Sequence, residues 1–424
     1  MSITAPRGTA DILPSDILKW KYIEGKISDI CEKFGYQEIR TPVFENTELF
    51  ERGVGDTTDV VQKEMYTFND KGNRSITLRP EGTAGVARAF LEHNIYSKPL
   101  PAKLFYMISC YRYEKPQAGR MREFHQFGAE CFGSQKPSVD GEMVAMAYTI
   151  LTELGIEDVV LNINSIGCPA CRKKYNEALK EYFRPHLESG ELCETCRGRF
   201  DKNPLRILDC KSPVCGEIAK KAPILLDYIC EECSDHFEKV KSYLDAIGIK
   251  YVVDGTIVRG LDYYTKTVFE FKTFLSGAAG TVCGGGRYDG LIEELGGDPT
   301  PAIGFAMGIE RIILALTQSG KMPEFECVPD VYIANIGDET DIYATVLVDK
   351  LRRGGIKAER DLCGRSLKAQ MKYANKCGAR YVVVIGEEEA KTNSALLKNM
   401  NTKTETRVSL DSAHDIINAI TEEM

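Results

Sequence analysis

Hydrophobic and polar residues follow two different periods along the chain, and the change of period separates helices from strands. Residues 16–34 carry apolar side chains at helical spacing, with Ser15 as the predicted N-cap. The stretch "YQEIRTPVFE" comes next as a short strand that Pro42 interrupts. Two apolar-rich stretches, "KLFYMISCYRYE" and "EFHQFGAECFG", are joined by the loop "KPQAGRMR". Proline and glycine in that loop predict a long antiparallel hairpin.

The two ends of the chain differ in how strands and helices follow one another. In the first part, "TVFEFKTF" and "TVCGGG" predict further antiparallel strands, and a helix is predicted from about Gly308. After residue 325, strands such as "VYIANI" and "RYVVVIG" alternate with helices near 341–353 and 366–377. Such alternation is typical of a doubly wound domain with a largely parallel centre.

We therefore predict an α/β protein of two domains. Residues 1–325 form an α+β domain with an antiparallel sheet, and residues 326–424 form the doubly wound α/β domain. A helical, charged and cysteine-rich insertion at 166–247 interrupts the first domain.

The composition is that of a soluble globular chain, with 43% hydrophobic and 27% charged residues among 424. No run approaches the roughly 18 apolar residues of a membrane span. The start, "MSITAPRGTADILPSD", lacks the basic, apolar and small-residue regions of an export signal. The sequence therefore predicts a cytoplasmic protein without membrane contact, whose thiols stay reduced.

The 15 cysteines then act as metal ligands or as packing residues. Eight lie in the insertion, where two CxxC pairs about 22 residues apart resemble the spacing of a zinc ribbon. Eight thiolates are enough for one or two tetrahedral Zn²⁺ ions, which would be structural because four sulfur ligands leave no open position. The alternative is that these thiols merely pack. The candidate ligands are Cys168, Cys171, Cys193, Cys196, Cys210, Cys215, Cys230 and Cys233.

Charge is distributed unevenly along the chain. The formal net charge of −8 argues against a surface that attracts nucleic acid everywhere. Residues 350–380, however, contain ten Lys and Arg against only Glu359 and Asp361. This surplus indicates either a local nucleic-acid contact or a solvated helical face.

Candidate chemistry concentrates in the first domain. In "TLRPEGTAGVARAF", Glu81 and Thr83 fall at a strand-to-helix turn, where they are placed to hold an ammonium group. The alternative for Glu81 is ordinary compensation of the helix dipole. On the hairpin, period-two spacing directs Phe124, Gln126 and Glu130 to one face, whereas His125 falls on the other and is predicted to be structural.

Arginines accompany this face of the hairpin. Arg112 and Arg120 lie near Phe124 in sequence, and an aromatic ring beside guanidinium groups suits a nucleotide base and its phosphates. The alternative is a cross-strand ladder of salt bridges. Downstream, "RGLDYYTKTVFEF" starts with Arg259 before a buried strand, "CGGGRYDGL" permits close backbone approach, and Arg311 lies near a helix start.

These segments together resemble a known family. The strand with Pro42, the Arg112 hairpin and the helix from Gly308 to Arg311 resemble motifs 1, 2 and 3 of class II aminoacyl-tRNA synthetases. "RGLDYY" and "GGGRYDGL" look like the two histidine-specific signatures of the histidyl-tRNA synthetases, and "PRGTADILP" and "LRPEGTAG" are similar to other stretches of that family. The resemblance covers nearly the whole chain.

The resemblance implies an ATP-dependent ligase that converts L-histidine to histidyl-adenylate and transfers it to the 3′ end of tRNA(His). It places Arg259 and Arg112 as catalytic groups at the α-phosphate, Arg120 and Arg311 nearer the outer phosphates, and Phe124 against adenine. It assigns Glu130 and Tyr264 to the imidazole of histidine. The remaining histidine-binding positions are Glu81, Thr83, Gln126, Tyr263 and Tyr288.

The resemblance also implies Mg²⁺ accompanying ATP, a homodimer formed through motif 1, and an anticodon-binding domain at the C-terminus. Two rival interpretations share part of these motifs. One is the non-catalytic paralogue that acts as regulatory subunit of ATP phosphoribosyltransferase, and the other is a different class II synthetase such as the prolyl or threonyl enzyme. The chain keeps both the active-site residues and the C-terminal domain, which argues against the regulatory subunit. The "RGLDYY" signature argues against another synthetase.

Overall fold

The computed structural model describes residues 3–55, 58–117, 119–208, 210, 212–257, 259–275, 278–411 and 413–421. The chain divides into two compact units, Met1–Pro323 and Glu324–Met424. Within the described ranges, no helix combines the length and apolar character that crossing a bilayer requires.

An eight-stranded sheet is the centre of the first unit, in the order β1-β5-β6-β11-β10-β9-β7-β8. The pairs β5–β6, β6–β11, β11–β10, β10–β9 and β9–β7 are antiparallel, whereas β1–β5 and β7–β8 are parallel. A separate three-stranded sheet has the order β2-β4-β3. The strands are β1 (Gln37–Glu38), β2 (Phe44–Asn46), β3 (Tyr66–Asn69), β4 (Ser75–Leu78), β5 (Ala102–Tyr111), β6 (Glu123–Phe132), β7 (Val160–Ser165), β8 (Val252–Val253), β9 (Thr265–Leu275), β10 (Ala278–Arg287) and β11 (Ala302–Gly308).

Helices of the first unit cover the sheet and build the insertion. Shorter turns of π or 3₁₀ helix occur at Val60–Glu64, Ile95–Ser97, Pro204–Ile207 and Leu225–Tyr228. The α-helices are α1 (Ile17–Lys33), α2 (Thr47–Val54), α3 (Thr83–Glu92), α4 (Pro137–Glu153), α5 (Pro169–Glu188), α6 (Glu194–Lys202), α7 (Pro213–Ala219), α8 (Glu231–Ala246), α9 (Leu291–Glu294) and α10 (Ile309–Gln318).

Alternation along the strands assigns the two faces of the large sheet. On β6, Phe127, Ala129 and Cys131 join a buried cluster with residues of α1, α4 and α10. The intervening residues of β6 point to the opposite face, because successive side chains of a strand alternate. That opposite face shares a second buried cluster with α3 and with helices of the insertion. One face of the sheet is therefore packed in the core, whereas the other combines a second buried cluster with the polar residues of β6.

The second unit contains a five-stranded sheet in the order β13-β12-β14-β15-β16. Its centre, β13-β12-β14, is parallel, and β15 and β16 add antiparallel strands. Its elements are β12 (Val331–Asn335), α11 (Glu339–Arg353), β13 (Ala358–Arg360), α12 (Leu367–Lys376), β14 (Tyr381–Ile385), α13 (Glu387–Thr392), β15 (Ser394–Asn399), β16 (Glu405–Ser409) and α14 (His414–Thr421).

The predicted α/β class, the long hairpin and the parallel centre of the C-terminal sheet are confirmed. The predicted cap is wrong: α1 is preceded by Asp16, and the Ser15 hydroxyl donates to the Asp16 carboxylate at 3.3 Å instead of capping the helix. The sequence analysis also did not predict β11, because its glycines weaken the strand pattern of "AIGFAMG". That strand pairs with β6 along its whole length.

Candidate active site

A cavity of about 390 Å³ opens on the sheet face that carries the polar residues of β6. Residues of β6, β10 and β11 form its floor. Eleven of the twelve residues predicted to bind substrate line it, and the twelfth, Glu130, lies directly behind Thr83. The eleven are Glu81, Thr83, Arg112, Arg120, Phe124, Gln126, Arg259, Tyr263, Tyr264, Tyr288 and Arg311.

Glu130 is the most deeply placed carboxyl group of this region, with 1% of its surface exposed. One oxygen accepts hydrogen bonds from the Thr83 hydroxyl at 2.8 Å and the Tyr106 hydroxyl at 3.0 Å. The other accepts from the Tyr288 hydroxyl. Gly304 makes this position available, because a Cβ there would collide with the Glu130 carboxylate.

The pKa of Glu130 is shifted strongly by this environment. Burial raises it from the ordinary 4.5 to about 8, although the three hydroxyl donors act in the opposite direction. Burial therefore favours the neutral form of this carboxyl group in the folded chain.

Glu81 and Gln126 organise the turn that begins α3. The two Glu81 oxygens accept from the backbone N–H groups of Thr83 and Ala84, each at 2.8 Å. Gln126 accepts from the Gly82 N–H at 3.0 Å. Glu81 therefore caps the helix, as the dipole alternative expected, and also lines the cavity. Burial raises its pKa, while the backbone hydrogen bonds lower it.

Arginines gather at the other end of the cavity. The Arg112 Nε donates to the Pro80 carbonyl at 2.8 Å, and its guanidinium lies 5.5 Å from the centre of the Phe124 ring. Glu114 is 3.9 Å from Arg112 and 3.5 Å from Arg120. Arg311 donates to the carbonyls of Gly119 and Thr281, so it connects the hairpin loop to β10. The result is a positively charged end beside an aromatic ring.

Arg259 is held over the floor of the cavity by a carboxylate. Its guanidinium pairs with Glu270 of β9, and its centre lies 5.9 Å from that of the Tyr264 ring. Gly284 permits this position, since a Cβ there would collide with the guanidinium. The buried Arg259 Nε has no hydrogen-bond partner among the described residues.

The sequence pattern did not indicate two groups of this region, Glu270 in the cavity lining and Tyr106 beside Glu130. Glu270 is the charged residue in "TVFEF", and the register of β9 with β10 puts it opposite Gly284. Tyr106 stands inside the apolar run "KLFYMISC", where nothing distinguishes it from a core residue. His125 behaves as predicted for a structural residue: its Nδ1 is 2.9 Å from Glu310, and its ring packs edge-on against Trp20.

The cysteines of the insertion do not pair as the ribbon spacing suggested. Cys168 and Cys171 converge with Cys230 and Cys233, which come 59 residues later by the Cys171–Cys230 separation. The second group is Cys193, Cys196, Cys210 and Cys215. The zinc-ribbon prediction grouped cysteines that are close in sequence. In the structure, the chain leaves the first pair along α5 and returns to it only at the start of α8.

The antiparallel sheet, its arginine-rich hairpin and the following glycine-rich strand and helix define a class II aminoacyl-tRNA synthetase. The family model described as histidyl-tRNA synthetase matches residues 8–312, and that described as anticodon binding domain matches residues 330–420. The chain belongs to the histidyl-tRNA synthetase family.

Relatives and solved structures agree with this assignment. A protein of Acetivibrio thermocellus named histidine–tRNA ligase is 57% identical over 412 residues, which cover 97% of this chain and 98% of that protein. A histidine–tRNA ligase of Clostridium perfringens is 56% identical over 424 residues, with 99% and 100% covered. The crystal structure of apo histidyl-tRNA synthetase from S. aureus superimposes with a TM-score of 0.84 at 43% identity, covering 99% of this chain and 100% of that one.

Proposed function

We propose that the chain activates L-histidine with ATP to histidyl-adenylate and pyrophosphate, and then transfers the histidyl group to the 3′ hydroxyl of tRNA(His). The supporting observation is that one cavity combines an arginine-rich end with a buried, hydrogen-bonded carboxyl group at the other. Such a cavity suits a triphosphate at one end and a small polar side chain at the other.

Arg259 and Arg112 are the groups proposed to act in adenylate formation. Attack of the histidine carboxylate on the α-phosphate brings two anions together, and fixed cations offset the charge that builds on the phosphoryl oxygens. Arg259 is suited to this because Glu270 holds its guanidinium at the cavity wall, while its buried Nε has no hydrogen-bond partner among the described residues. The substrate carboxylate and the tRNA hydroxyl supply both nucleophiles, so no side-chain nucleophile is required.

The rest of the arginine end is assigned to the nucleotide. Phe124 stacks on adenine, and Arg120 and Arg311 bind the outer phosphates. Mg²⁺ takes oxygen ligands, and the weakly paired Glu114 carboxylate is a suitable protein ligand beside the phosphates. Bound Mg²⁺ would add charge neutralisation to that of the arginines.

The other end is assigned to histidine. A neutral imidazole has one donor and one acceptor, and Glu130 and Tyr264 are the proposed partners of the two nitrogens. Glu81, Thr83 and Gln126 receive the amino acid's backbone groups, and Tyr263 and Tyr288 close the pocket. Buried hydrogen-bonding groups reject amino acids that leave them unpaired by roughly 10⁴-fold or more.

The second unit is proposed to bind the anticodon region of tRNA. Lys368, Lys372 and Lys376 are exposed and spaced by four residues on α12, so they share one helical face. None of the three has an ion-pair partner among the residues described, which leaves them available to phosphates. We assign residues 1–325 as the catalytic domain with its 166–247 insertion, and 326–424 as the anticodon-binding domain.

The active form is proposed to be a cytoplasmic homodimer. In the motif 1 segment, Val43 and Phe44 are 43% and 54% exposed, and β2, which begins at Phe44, pairs with only β4 among the described strands. Apolar side chains at an open sheet edge suit burial against a second copy. The mass in solution should be twice that of one chain.

Exchange of labelled pyrophosphate into ATP tests the proposed activity. The chain should catalyse exchange with histidine and fail with proline, threonine and glycine. Exchange that needs one of those other amino acids would assign a different class II activity. Absence of exchange from a correctly folded dimer would favour the regulatory-subunit alternative.

A further inference from the structure

We propose that the insertion holds two structural Zn²⁺ ions, each bound by four cysteine thiolates and each in a separate site. The base site consists of Cys168, Cys171, Cys230 and Cys233, and the distal site of Cys193, Cys196, Cys210 and Cys215. The proposal does not depend on which amino acid the cavity activates.

The sulfur positions fit tetrahedral coordination. In each site all four sulfur atoms lie within 4.8 Å of one another. Cys168 and Cys171 sulfurs are 3.5 Å apart, and those of Cys193 and Cys210 are 3.8 Å apart. Zinc–sulfur bonds of about 2.3 Å in a tetrahedron place sulfur atoms about 3.8 Å apart.

Disulfide bonds do not account for the clusters. All eight cysteines are free, and the closest recorded sulfur pair, at 3.5 Å, is far longer than a disulfide bond of about 2.05 Å. Four thiols that point at one spot present weak donors and acceptors to each other, so packing alone gives little reason for convergence. A soft divalent ion gives a specific reason, and tetrahedral sulfur sites favour zinc.

The three CxxC pairs, two in the base site and one in the distal site, have the same local structure. Cys168, Cys193 and Cys230 are the N-cap residues of α5, α6 and α8, and the second cysteine of each CxxC pair is the third helical residue. N-cap and third positions place both side chains over the first turn, where the helix dipole stabilises negative sulfur.

Backbone N–H groups point at the sulfur atoms as well. The Cys230 N–H donates to the Cys171 sulfur at 3.1 Å in the base site. In the distal site, the Cys193 N–H donates to the Cys215 sulfur at 3.3 Å and the Ser212 N–H to the Cys210 sulfur at 3.4 Å. Such donors stabilise thiolate charge and hold each ligand in one orientation.

The base site fastens the two ends of the insertion to the sheet. Immediately before Cys168, Gly167 has a φ of +62° and its carbonyl accepts from the Lys266 N–H at 2.9 Å. The Lys266 ammonium also pairs with Glu232 of α8 at 2.9 Å. An ion at this site therefore connects the start of α5 with the start of α8, beside the first residues of β9.

The distal site encloses a segment that reaches the cavity. Cys196 and Cys210 flank the turn Pro204–Ile207, whose Arg206 donates to the Gly260 carbonyl at 2.7 Å and to Asp262 at 2.9 Å. Both acceptors belong to "RGLDYY". An ion at this site closes the loop that carries Arg206. Closure reduces the number of conformations open to that loop and so favours the folded one.

Metal content of the dimer purified without chelator tests the proposal. Inductively coupled plasma mass spectrometry should find two zinc equivalents per chain that persist through gel filtration. Zero or one equivalent, or iron in place of zinc, would overturn it.

Double variants test the division into two sites. Cys171→Ser with Cys233→Ser should retain one equivalent, as should Cys196→Ser with Cys215→Ser. The control, Cys327→Ser with Cys363→Ser, changes two exposed cysteines outside the clusters and should retain two. Loss of both ions from either cluster variant while it stays folded would contradict separate sites.

Anomalous scattering at the zinc edge from crystals of the unaltered chain avoids the risk that a variant fails to fold. Two peaks are expected, one within each group of four sulfur atoms. One peak, or peaks placed elsewhere, would refute the assignment.

Discussion

The substrate cavity and the cysteine-rich insertion fix their functional side chains by different means. In the cavity, the wide sheet and the segments that adjoin it position the polar groups: Glu130 of β6 accepts from Thr83 at the start of α3 and from Tyr288 just after β10. In the insertion, helices bring eight thiols into two clusters, each of which we propose to be held by one Zn²⁺ ion. A wide sheet supplies its own geometry, whereas a small helical unit depends on cross-links.

The largest expected effect on activity comes from a substitution in the cavity. Arg259→Ala should lower histidine-dependent pyrophosphate exchange by on the order of 10²–10³-fold, because a fixed cation at the reacting phosphate is lost. Circular dichroism should show an unchanged fold. Arg353→Ala is the matched control, since Arg353 is exposed in the second unit and pairs only with Asp349 among the described residues. Equal activities of the two variants would contradict the assignment.

A buried ion network connects the insertion to the sheet. Removing it tests whether the sheet is stable without that connection. Asp140 of α4 accepts from Arg287 of β10, from Thr267 at 2.7 Å and from His236 of α8 at 2.6 Å. Asp140→Asn should lower the free energy of unfolding by about 3 kcal/mol, because the buried Arg287 loses its buried counter-charge and keeps, among the described carboxylates, only Asp289, at 3.2 Å. Denaturant titration measures this, with exposed Asp349→Asn as the control.

The same network predicts a pH effect of defined sign. Burial raises the pKa of Asp140, but Arg287 and His236 outweigh it and hold that pKa below the ordinary 3.8. The ionised carboxylate therefore stabilises the fold above pH 3.8, and this stabilisation is lost as the pH falls through the lowered pKa. Stability of Asp140→Asn that matches the wild type would show that the sheet does not use this connection.

Glu130 should give the next effect, with the opposite pH dependence. Its raised pKa of about 8 favours the neutral carboxyl in the folded chain, so its stabilisation is present below pH 4.5 and is lost as the pH rises towards 8. Glu130→Gln should flatten this part of the stability profile. It should also raise the KM for histidine roughly 10–100-fold, because one buried hydrogen bond is left unmade.

The control for Glu130 is Glu142→Gln, since Glu142 is a half-exposed carboxylate paired with Lys103 on another part of the unit. A histidine KM equal to that of the wild type in Glu130→Gln would remove Glu130 from the specificity site.

The smallest expected effect comes from Arg206, which connects the insertion to the cavity segment "RGLDYY". Arg206→Ala should reduce exchange roughly tenfold, since hydrogen bonds to charged groups contribute about 1.5–3 kcal/mol and Arg206 holds "RGLDYY" from outside the cavity lining. Its zinc content should stay at two equivalents. Arg206→Lys should restore part of the rate, and a purely structural role would instead lower stability without changing kcat.

The sequence predicted some of this arrangement and not the rest, for physical reasons. Period-two alternation on β6 placed Gln126 and Glu130 on one face, because side-chain direction is a local property. The roles of Arg259 and its neighbours rested on the resemblance to a family. The pairing of Arg259 with Glu270 and the grouping of Cys171 with Cys230 depend on strand register and chain return, which local patterns do not specify.

A crystal structure of the chain with histidine and a non-hydrolysable ATP analogue tests the central claim most directly. We expect the Arg259 guanidinium, held by Glu270, to donate to an α-phosphate oxygen, with the imidazole between Glu130 and Tyr264. An Arg259 side chain turned away from the α-phosphate, in a complex with both ligands bound, would contradict the account.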